Sequence, residues 1–400
     1  MKPMQTQIRN ASLLLMLIIA LLAVTASVAI AHPVIQRTNN SYDDINPRVS
    51  GTNIVWQGWD GNDWEIFFYN GSTDTTTQLT NNTFDDINPR ISDANVVWQG
   101  HDGSDWEIFL YTDSNSTTTQ LTNNSYDDTK PQIWGSTIAW QGKVDGLDWE
   151  IFYREGSTTT QLTNNSFDDI NPQTYGQAVV WQGWDGHDYE IYSGGIHSKF
   201  MQLTDNDYQD EYPQISDYSV TWQGTPDGSD YEIFLAEYPV PIQLTNNVFG
   251  DINPQICGAC VFWQGYDGND WEIMSNCFKF GYLTDNNLDD INPQLSPSYV
   301  IWQHWDGHDW EIAFFGDDIV QLSNNALDDI NPQVSDSYAV WQGWDGHDYE
   351  IFMVGLNCTY MLAGDLNDDC NVDFEDFAYM AQNWLTNCFA EPSNPACVPK

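Results

Sequence analysis

Hydrophobic and polar positions recur along this chain with a period of about 40 residues. Each unit contains a short apolar stretch, such as Asn53–Gly58, and a stretch of alternating character, such as Trp64–Tyr69. Alternation with a period of two is typical of a strand with one buried face. Two further short stretches, Arg48–Ser50 and Thr75–Thr80, complete the unit. We therefore predict four short strands in each repeat.

Eight copies of this unit follow one another. Each copy has an Asp-x-x-Pro segment, a Trp-Gln pair nine residues after the proline, and then an Asp-Gly pair typical of a hairpin turn. The prolines are Pro47, Pro89, Pro131, Pro172, Pro213, Pro254, Pro293 and Pro332. Four strands cannot bury their faces alone, so the units must pack on one another, and a closed ring leaves few exposed edges. The sequence predicts an all-β, eight-bladed β-propeller of four-stranded blades over residues 32–356.

The start of the array is offset from the repeat. Residues 34–40, Val-Ile-Gln-Arg-Thr-Asn-Asn, are similar to the Gln78–Asn82 segment that ends the first copy. The eighth copy has no clear segment of this kind after Met353. We expect the N-terminal strand to complete the last blade.

Charge and the N-terminus indicate the environment of the protein. The chain has 11 Lys+Arg against 58 Asp+Glu, a formal charge of −47, which argues against a nucleic-acid partner. Lys2 and Arg9 precede the apolar run Ala11–Ala31, the pattern of a secretory signal peptide (residues 1–31) cleaved before His32. An uncleaved anchor is the alternative. We expect a secreted or cell-surface protein without membrane insertion after cleavage.

All seven cysteines lie in the part predicted to be exported, where disulfides persist. For Cys257, Cys260 and Cys277 we favour one local disulfide, with a three-thiolate zinc site as the alternative. Near the C-terminus we favour a Cys388–Cys397 pair, since Cys370 lies at the other end of a predicted helix.

Residues identical in every copy are expected to build the blade. The tryptophans of the Trp-Gln pairs are predicted to form the core between blades. Asp44 and its equivalents three residues before each proline are interpreted as turn formers. Asp60, Asp63 and Glu65 also recur in all eight copies, either as structural turns or as partial calcium ligands.

The residue just before the Asp-Gly turn varies from copy to copy and is often aromatic. Aromatic rings beside carboxylates are typical of a carbohydrate-binding surface, because a ring packs on the apolar side of a sugar. The alternative is packing at the rim of the ring. The candidate ligand-binding residues are Trp59, Trp184, Tyr266, Trp305 and Trp344.

A different pattern follows the repeats, in residues 357–400. Oxygen-bearing side chains occupy positions 1, 3, 5, 9 and 12 of a calcium loop, and position 7 would offer a backbone carbonyl. Phe374–Leu385 has the spacing of a helix that follows such a loop. The candidate calcium ligands are Asp365, Asn367, Asp369, Asn371, Asp373 and Asp376.

Two families resemble parts of this chain. The Asp-x-x-Pro, Asp-Gly, Asp-x-Glu-Ile-Phe and Gln-Leu-Thr segments over residues 34–356 resemble the repeat of TolB-type β-propellers, which implies the propeller fold. The segment Gly364–Leu385 resembles a dockerin repeat, the small α-helical EF-hand-like module that docks onto cohesin domains, which implies calcium as cofactor and a cohesin partner. The match departs from dockerins at Cys370 and in having one loop-helix unit.

These patterns together suggest a non-catalytic propeller that binds an extracellular ligand, most plausibly a polysaccharide or glycan, and attaches through the dockerin-like module. The chain has no Gly-x-Ser-x-Gly motif, so we expect no hydrolase domain of that type. The alternatives are a propeller glycoside hydrolase or lyase, and a purely structural adhesion or envelope scaffold.

Overall fold

A computed structural model provides the structure of the protein. It describes residues 34–356, except for residues 145, 196–199, 227, 238–239, 279–280 and 317. The predicted signal peptide, calcium loop, C-terminal helix and Cys388–Cys397 pair lie outside the described residues. Among the residues described, no helix combines the length and apolar character needed to cross a membrane.

The described residues form eight antiparallel sheets arranged as the blades of a propeller, which confirms the predicted all-β, eight-bladed fold. The strands of the first half are β1 (Ile35–Gln36), β2 (Asp44–Ser50), β3 (Asn53–Trp59), β4 (Trp64–Asn70), β5 (Thr75–Gln78), β6 (Asp86–Ser92), β7 (Asn95–His101), β8 (Trp106–Thr112), β9 (Thr117–Gln120), β10 (Asp128–Trp134), β11 (Thr137–Val144), β12 (Asp148–Glu155), β13 (Thr158–Gln161), β14 (Asp169–Tyr175), β15 (Ala178–Trp184), β16 (Tyr189–Gly195) and β17 (Met201–Gln202).

The second half continues the same order. Its strands are β18 (Asp210–Ser216), β19 (Ser219–Gly224), β20 (Glu232–Glu237), β21 (Val240–Gln243), β22 (Asp251–Cys257), β23 (Cys260–Tyr266), β24 (Trp271–Ser275), β25 (Asp290–Leu295), β26 (Val300–Trp305), β27 (Trp310–Phe315), β28 (Ile319–Gln321), β29 (Asp329–Val334), β30 (Tyr338–Trp344) and β31 (Tyr349–Gly355). A short 3₁₀ turn lies at Asp113–Asn115. Within the described residues, seven sheets have four strands and blade 6 has three, β22 to β24.

The N-terminal strand closes the ring as expected. β1 pairs with β31 through Ile35 opposite Met353 and Gln36 opposite Phe352, so the last blade is completed by the start of the array. Blade 1 in turn packs against blade 8, where Trp56 lies in one cluster with Val340 and Met353.

The first strand of each blade is longer than predicted. β2 begins at Asp44, and its pairing with β3 shifts register between Ile45 and Arg48. Asn46 at this β-bulge has a φ of 54°. The bulge accommodates Pro47, which has no N–H for the ladder. It also breaks the alternation of side chains, which hid the start of the strand from the sequence pattern.

The core lies between neighbouring sheets. The tryptophans of the Trp-Gln pairs are at most 5 % exposed, which confirms their prediction as core between blades. Trp98, for example, packs with Val55, Ile66 and Phe68 of the preceding blade. The eight are Trp56, Trp98, Trp140, Trp181, Trp222, Trp263, Trp302 and Trp341.

Blade 6 carries a disulfide. Cys260 on β23 is bonded to Cys277, just after β24, and Cys257 is free. The predicted local disulfide is therefore confirmed. The zinc alternative is wrong, because two of its three thiolates are joined to each other.

Candidate functional site

The innermost part of each blade is held by a buried carboxylate. Asp44 Oδ1 accepts a hydrogen bond from Trp56 Nε1 (2.8 Å), and Asp44 Oδ2 accepts one from Asn40 Nδ2 (2.6 Å). Burial raises the pKa of Asp44 to about 7. The interpretation of these aspartates as turn formers is therefore wrong. They tie the core tryptophan to the segment that enters the blade, and we call each one a hub aspartate.

The glutamine beside the core tryptophan links one blade to the next. Gln57 Oε1 accepts the backbone N–H of Asn88 at the bulge of blade 2, and the bond recurs around the ring with N···O distances of 2.9 to 3.1 Å. The acceptor and donor pairs are Gln57–Asn88, Gln99–Lys130, Gln141–Asn171, Gln182–Tyr212, Gln223–Asn253, Gln264–Asn292, Gln303–Asn331 and Gln342–Asn46. These bonds fix the bulge residues near the start of the innermost strand of each blade, and we call this ring of eight bulge residues the channel mouth.

Two blades depart from the repeat at this channel mouth. The bulge residue is Asn in six blades, Lys130 in blade 3 and Tyr212 in blade 5, and all eight have positive φ. Asn tolerates this left-handed backbone better than Lys or Tyr, because its short side chain bonds locally. Lys130 and Tyr212 therefore carry backbone strain that the six asparagines largely avoid, and strain of this kind is often found at functional positions.

A chain of hydrogen bonds connects these two departures. Lys130 Nζ donates to Asn171 Oδ1 (2.6 Å), and Asn171 Nδ2 donates to Gln182 Oε1 (3.0 Å). Gln182 Oε1 also accepts the backbone N–H of Tyr212 (3.1 Å). Blades 3, 4 and 5 are thus joined by a continuous hydrogen-bond network that contains one ammonium group and passes through the buried Gln182. The side chain of Tyr212, at the same mouth, is 52 % exposed.

A cavity of about 500 Å³ opens beside Lys130. Amide, hydroxyl and carboxylate groups from blades 2 to 4 line it together with two indole rings. Its lining includes Asn88, Gln99, Trp106, Thr129, Lys130, Gln141 and Trp149. The sequence reasoning missed this site because it searched among shared residues and turns. The signal was present in Asp-Thr-Lys-Pro and Asp-Glu-Tyr-Pro, the two copies that break Asp-Ile-Asn-Pro.

The Asp-Gly turns lie between the second and third strands. Asp60 Oδ1 accepts the backbone N–H groups of Asn62 (2.9 Å) and Asp63 (3.3 Å), and Gly61 has a φ of 102°. The predicted turn role of Asp60 is therefore confirmed. A side chain at Gly61 would meet the Tyr42 hydroxyl at 2.8 Å and would be strained by this φ.

Each of these turns gathers three carboxylates. Oxygen atoms of Asp60, Asp63 and Glu65 all lie within 4.8 Å of one another. Glu65 is 0 % exposed on β4, Asp63 is 4 % exposed, and burial raises the pKa of Glu65. The same arrangement occurs at Asp102, Asp105 and Glu107; Asp185, Asp188 and Glu190; Asp267, Asp270 and Glu272; and Asp306, Asp309 and Glu311. These oxygen clusters have the donor atoms that hard divalent cations prefer.

The five aromatic residues predicted to bind ligand are half-buried beside the same turns. Each packs edge to face against the first aromatic residue of the following strand, with ring centroids 5.2 to 5.6 Å apart. The pairs are Trp59–Trp64, Trp184–Tyr189, Tyr266–Trp271, Trp305–Trp310 and Trp344–Tyr349. Each pair belongs to its own hairpin, so the five rings do not form one shared platform. This geometry is that of rim packing.

No protein family and no curated protein matches this sequence. Solved structures do match. The β-propeller domain of the Trilobed protease from Pyrococcus furiosus, described with an open velcro topology, aligns with a TM-score of 0.53 and 11% identity, over 71% of this chain and 99% of that domain. Its fold is shared with this chain.

Two larger peptidases align in the same way. A prolyl endopeptidase gives a TM-score of 0.55 at 9% identity, over 76% of this chain and 55% of its own. The dipeptidyl peptidase 4 of Porphyromonas gingivalis gives 0.53 at 10% identity, over 73% and 56%. This chain thus spans a little over half the length of these two peptidases. The likeness shows the fold, and the activities named belong to those proteins.

These neighbours overturn the function predicted from the rim residues. The prediction of a non-catalytic, carbohydrate-binding propeller is wrong, because the similar solved structures are propellers of peptidases. The predicted dockerin-like attachment lies outside the described residues and stays a prediction. The physical reason lies in the aromatic pairs. The edge-to-face contacts place each predicted sugar-stacking ring in packing within its own hairpin.

Proposed function

We propose that this chain is a peptidase-type propeller that binds a segment of polypeptide at the channel mouth of blades 3 to 5. The observation that carries the proposal is the pair of departures from the repeat, Lys130 and Tyr212, in left-handed backbone. An asymmetric binding site is expected where a symmetric ring breaks its own pattern. The solved peptidase propellers support polypeptide as the class of ligand.

The chemistry of the surface fits a peptide. A peptide backbone alternates carbonyl acceptors and N–H donors, and the half-buried side-chain amide of Asn171 carries both functions. Gln182 is buried and holds Asn171 in place by accepting a hydrogen bond from its Nδ2. Lys130 supplies an ammonium group for a carbonyl or carboxylate oxygen. Tyr212 supplies an exposed ring against which an apolar side chain would pack.

Replacing Lys130 and Tyr212 with asparagine, the residue of the other six blades, tests the proposal. We expect Lys130→Asn with Tyr212→Asn to fold, because six other blades have Asn there. Binding of fluorescently labelled acidic, neutral and basic peptides by the full chain should weaken about tenfold or more, the loss expected for a charge-assisted hydrogen bond. Fluorescence anisotropy measures this loss.

Arg154→Asn is the matched control, since it removes a cation from the same blade. Arg154 lies on β12 and donates to Thr159 on the outer strand, away from the channel mouth. Its binding should equal that of the wild type. Absence of peptide binding, or equal binding by the wild type and the double variant, would show that the proposal is wrong.

Three finer predictions from the sequence also become proposals. We propose that the repeat is TolB-type, that the chain is exported after removal of residues 1–31, and that Asp365, Asn367, Asp369, Asn371, Asp373 and Asp376 hold calcium. Their support is the sequence pattern alone. N-terminal sequencing of the exported protein tests the cleavage. Loss of one bound Ca²⁺ in Asp369→Asn tests the loop.

A further inference from the structure

The oxygen clusters at the Asp-Gly turns contain carboxylate oxygens without a protein partner. Glu65 is 0 % exposed, yet its Oε2 accepts no hydrogen bond, and neither does Oδ2 of Asp63, which is 4 % exposed. An ionised oxygen buried without a partner costs several kcal/mol in most settings. The same orphan oxygens occur at Glu107, Glu150, Glu190, Glu232, Glu272 and Glu350.

Neighbouring groups hold these carboxylates in place and leave one oxygen of each unused. The backbone N–H of Asn82 donates to Glu65 Oε1 (2.7 Å), and Asn62 Nδ2 donates to Asp63 Oδ1 (2.8 Å). Asp60 Oδ1 is fixed by the turn. Outer hydrogen bonds that orient ligands are typical of metal sites. Each unused oxygen therefore belongs to a side chain already held by a neighbour.

The hydroxyl of Thr80 lies near the Glu65 carboxylate and leaves Asp63 Oδ2 without a partner. Thr80 Oγ1 accepts the N–H of Ile66 (2.8 Å) and lies near both Glu65 and Asp86. It carries a single proton, so it serves only one of the two carboxylates. Blade 7 is different, because Ser323 Oγ donates to Glu311 Oε2 (2.5 Å) and the orphan there is Asp309 Oδ2.

No Lys or Arg neutralises these clusters in the part of the chain that the structure describes. The ion pair of Arg37 goes to Asp74, and the ion pairs found at the described clusters are His308–Asp306 and His347–Asp345, both at 3.7 Å with exposed imidazoles. Calcium binds carboxylate oxygens at about 2.3 to 2.6 Å, so its ligands lie up to about 5 Å apart. The oxygen separations within 4.8 Å meet this limit.

We propose that the propeller binds calcium in its blades, one ion at each of the five clusters named above, through Asp60, Asp63 and Glu65 and the equivalent residues of the other four. These sites are separate from the C-terminal loop. The bound ions neutralise carboxylates that are both buried and close to one another. They also hold each hairpin to the segment that enters the next blade, since Glu65 accepts the backbone N–H of Asn82.

Counting bound ions tests the proposal in the full chain. After removal of metal with a chelator, equilibrium dialysis against Ca²⁺ followed by atomic emission should give at least five ions per chain, one for each cluster named above. A smaller count, such as the single ion that the C-terminal loop would hold, overturns it. Equal affinity for Mg²⁺ would overturn calcium as the cation.

A single variant gives a second, independent readout. Glu65→Gln removes one charge at constant shape, so it should lower the count by one. It should also reduce the melting temperature in Ca²⁺ but leave it equal or higher in chelator, where the buried charge is unbalanced. A purely structural glutamate would lower the melting temperature in both.

Glu155→Gln is the matched control on an outer part of blade 3. Glu155 accepts from Gln177 at an exposed position and belongs to no cluster named here. Its ion count and both melting temperatures should equal those of the wild type. The same loss of one ion in Glu155→Gln and Glu65→Gln would overturn the assignment of the site.

Discussion

Blades 1 and 7 fill the space beside the hub aspartate with different side chains. In blade 1, Gly58 lies between the hub aspartate Asp44 and the ring of Phe67. A Cβ at Gly58 would clash with Asp44 Oδ1 and lie 2.8 Å from the Phe67 ring. There is consequently no room for a side chain at this position in blade 1.

Blade 7 has His304 where blade 1 has Gly58, and Ala313 where blade 1 has Phe67. The His304 ring takes the space that a phenyl ring fills elsewhere, and its Nδ1 lies 2.8 Å from Asp290 Oδ1. This hydrogen bond raises the pKa of His304. The comparison teaches that the blade requires a filled volume beside its hub aspartate, and that either strand can supply it.

Introduction of the blade 7 side chains into blade 1 should have the largest effect on stability. Gly58→His alone overpacks the site and should lower the free energy of unfolding by about 3 kcal/mol. Addition of Phe67→Ala should recover most of the loss, because it empties the space that the imidazole needs. Thermal and urea unfolding measure both. A double variant no more stable than Gly58→His would show that the two blades are not equivalent.

The next largest effect on stability should come from substitution of the hub aspartates, and its size should differ between blades 2 and 7. Asp290→Asn should lower the free energy of unfolding by about 3 kcal/mol, and Asp86→Asn should lower it by about 2 kcal/mol. In both variants the new NH₂ group faces a hydrogen-bond donor that the carboxylate oxygen had accepted. The loss is larger at Asp290 because Asp290 has His304 as an additional partner. Both aspartates otherwise accept from a core tryptophan at 2.7 Å and from an asparagine. Urea unfolding of the two variants measures both losses. A larger loss of stability in Asp86→Asn than in Asp290→Asn would contradict this prediction.

The protonation of the hubs should appear in the pH dependence of stability. Burial raises the pKa of Asp86 to about 7, opposed by hydrogen bonds from Trp98 and Asn82 and increased by the charge of Glu65. A raised pKa gives stability that is present at low pH and lost as pH rises through about 7. In chelator, the melting temperature should therefore fall from about pH 4 to pH 7.

The other hub aspartates in this group are Asp44, Asp128, Asp210 and Asp329, also raised to about 7, and Asp169 and Asp251, raised to about 6. Asp86→Asn should make the slope shallower, because it removes one of these titrations. A melting temperature that rises across this range would contradict the assignment.

The smallest effect should come from the channel mouth. Lys130→Asn should raise the free energy of unfolding by about 0.5 kcal/mol, since Asn adopts the φ of 52° at lower cost. The reverse change in blade 2, Asn88→Lys, should lower it by a similar amount. Differential scanning calorimetry of the two variants checks this symmetry, and equal shifts of the same sign would exclude backbone strain as the cause.

Much of the fold could be predicted from the spacing of particular residues. The regular return of proline and Trp-Gln gave the number of blades, and the offset segment at residues 34–40 predicted the closing strand β1. These features depend on contacts within one blade or on copies of the same pattern. Alternation failed at Asn46, where the bulge leaves two side chains out of phase.

The candidate site was less accessible to sequence reasoning. The hydrogen bond from the N–H of Asn88 to Gln57 joins residues that are 31 positions apart and lie in two blades, and no local sequence pattern predicts it. Trp59 looked like an exposed platform because its partner Trp64 is visible only once the hairpin is folded. The orphan oxygens of Asp63 and Glu65 likewise depend on burial, which their polar sequence context did not suggest.

The closing strand has a consequence for the order of folding. β1 is the first strand of the propeller to be made and its partner β31 is the last, and Arg37 contacts Met353 across 316 positions. Blades 1 to 7 contact mainly their neighbours, so they can stack in the order of synthesis. Closure then waits for contacts between the two ends of the described residues, and contacts so distant in sequence form slowly. Folding of the ring therefore ends at the segment with which its synthesis began.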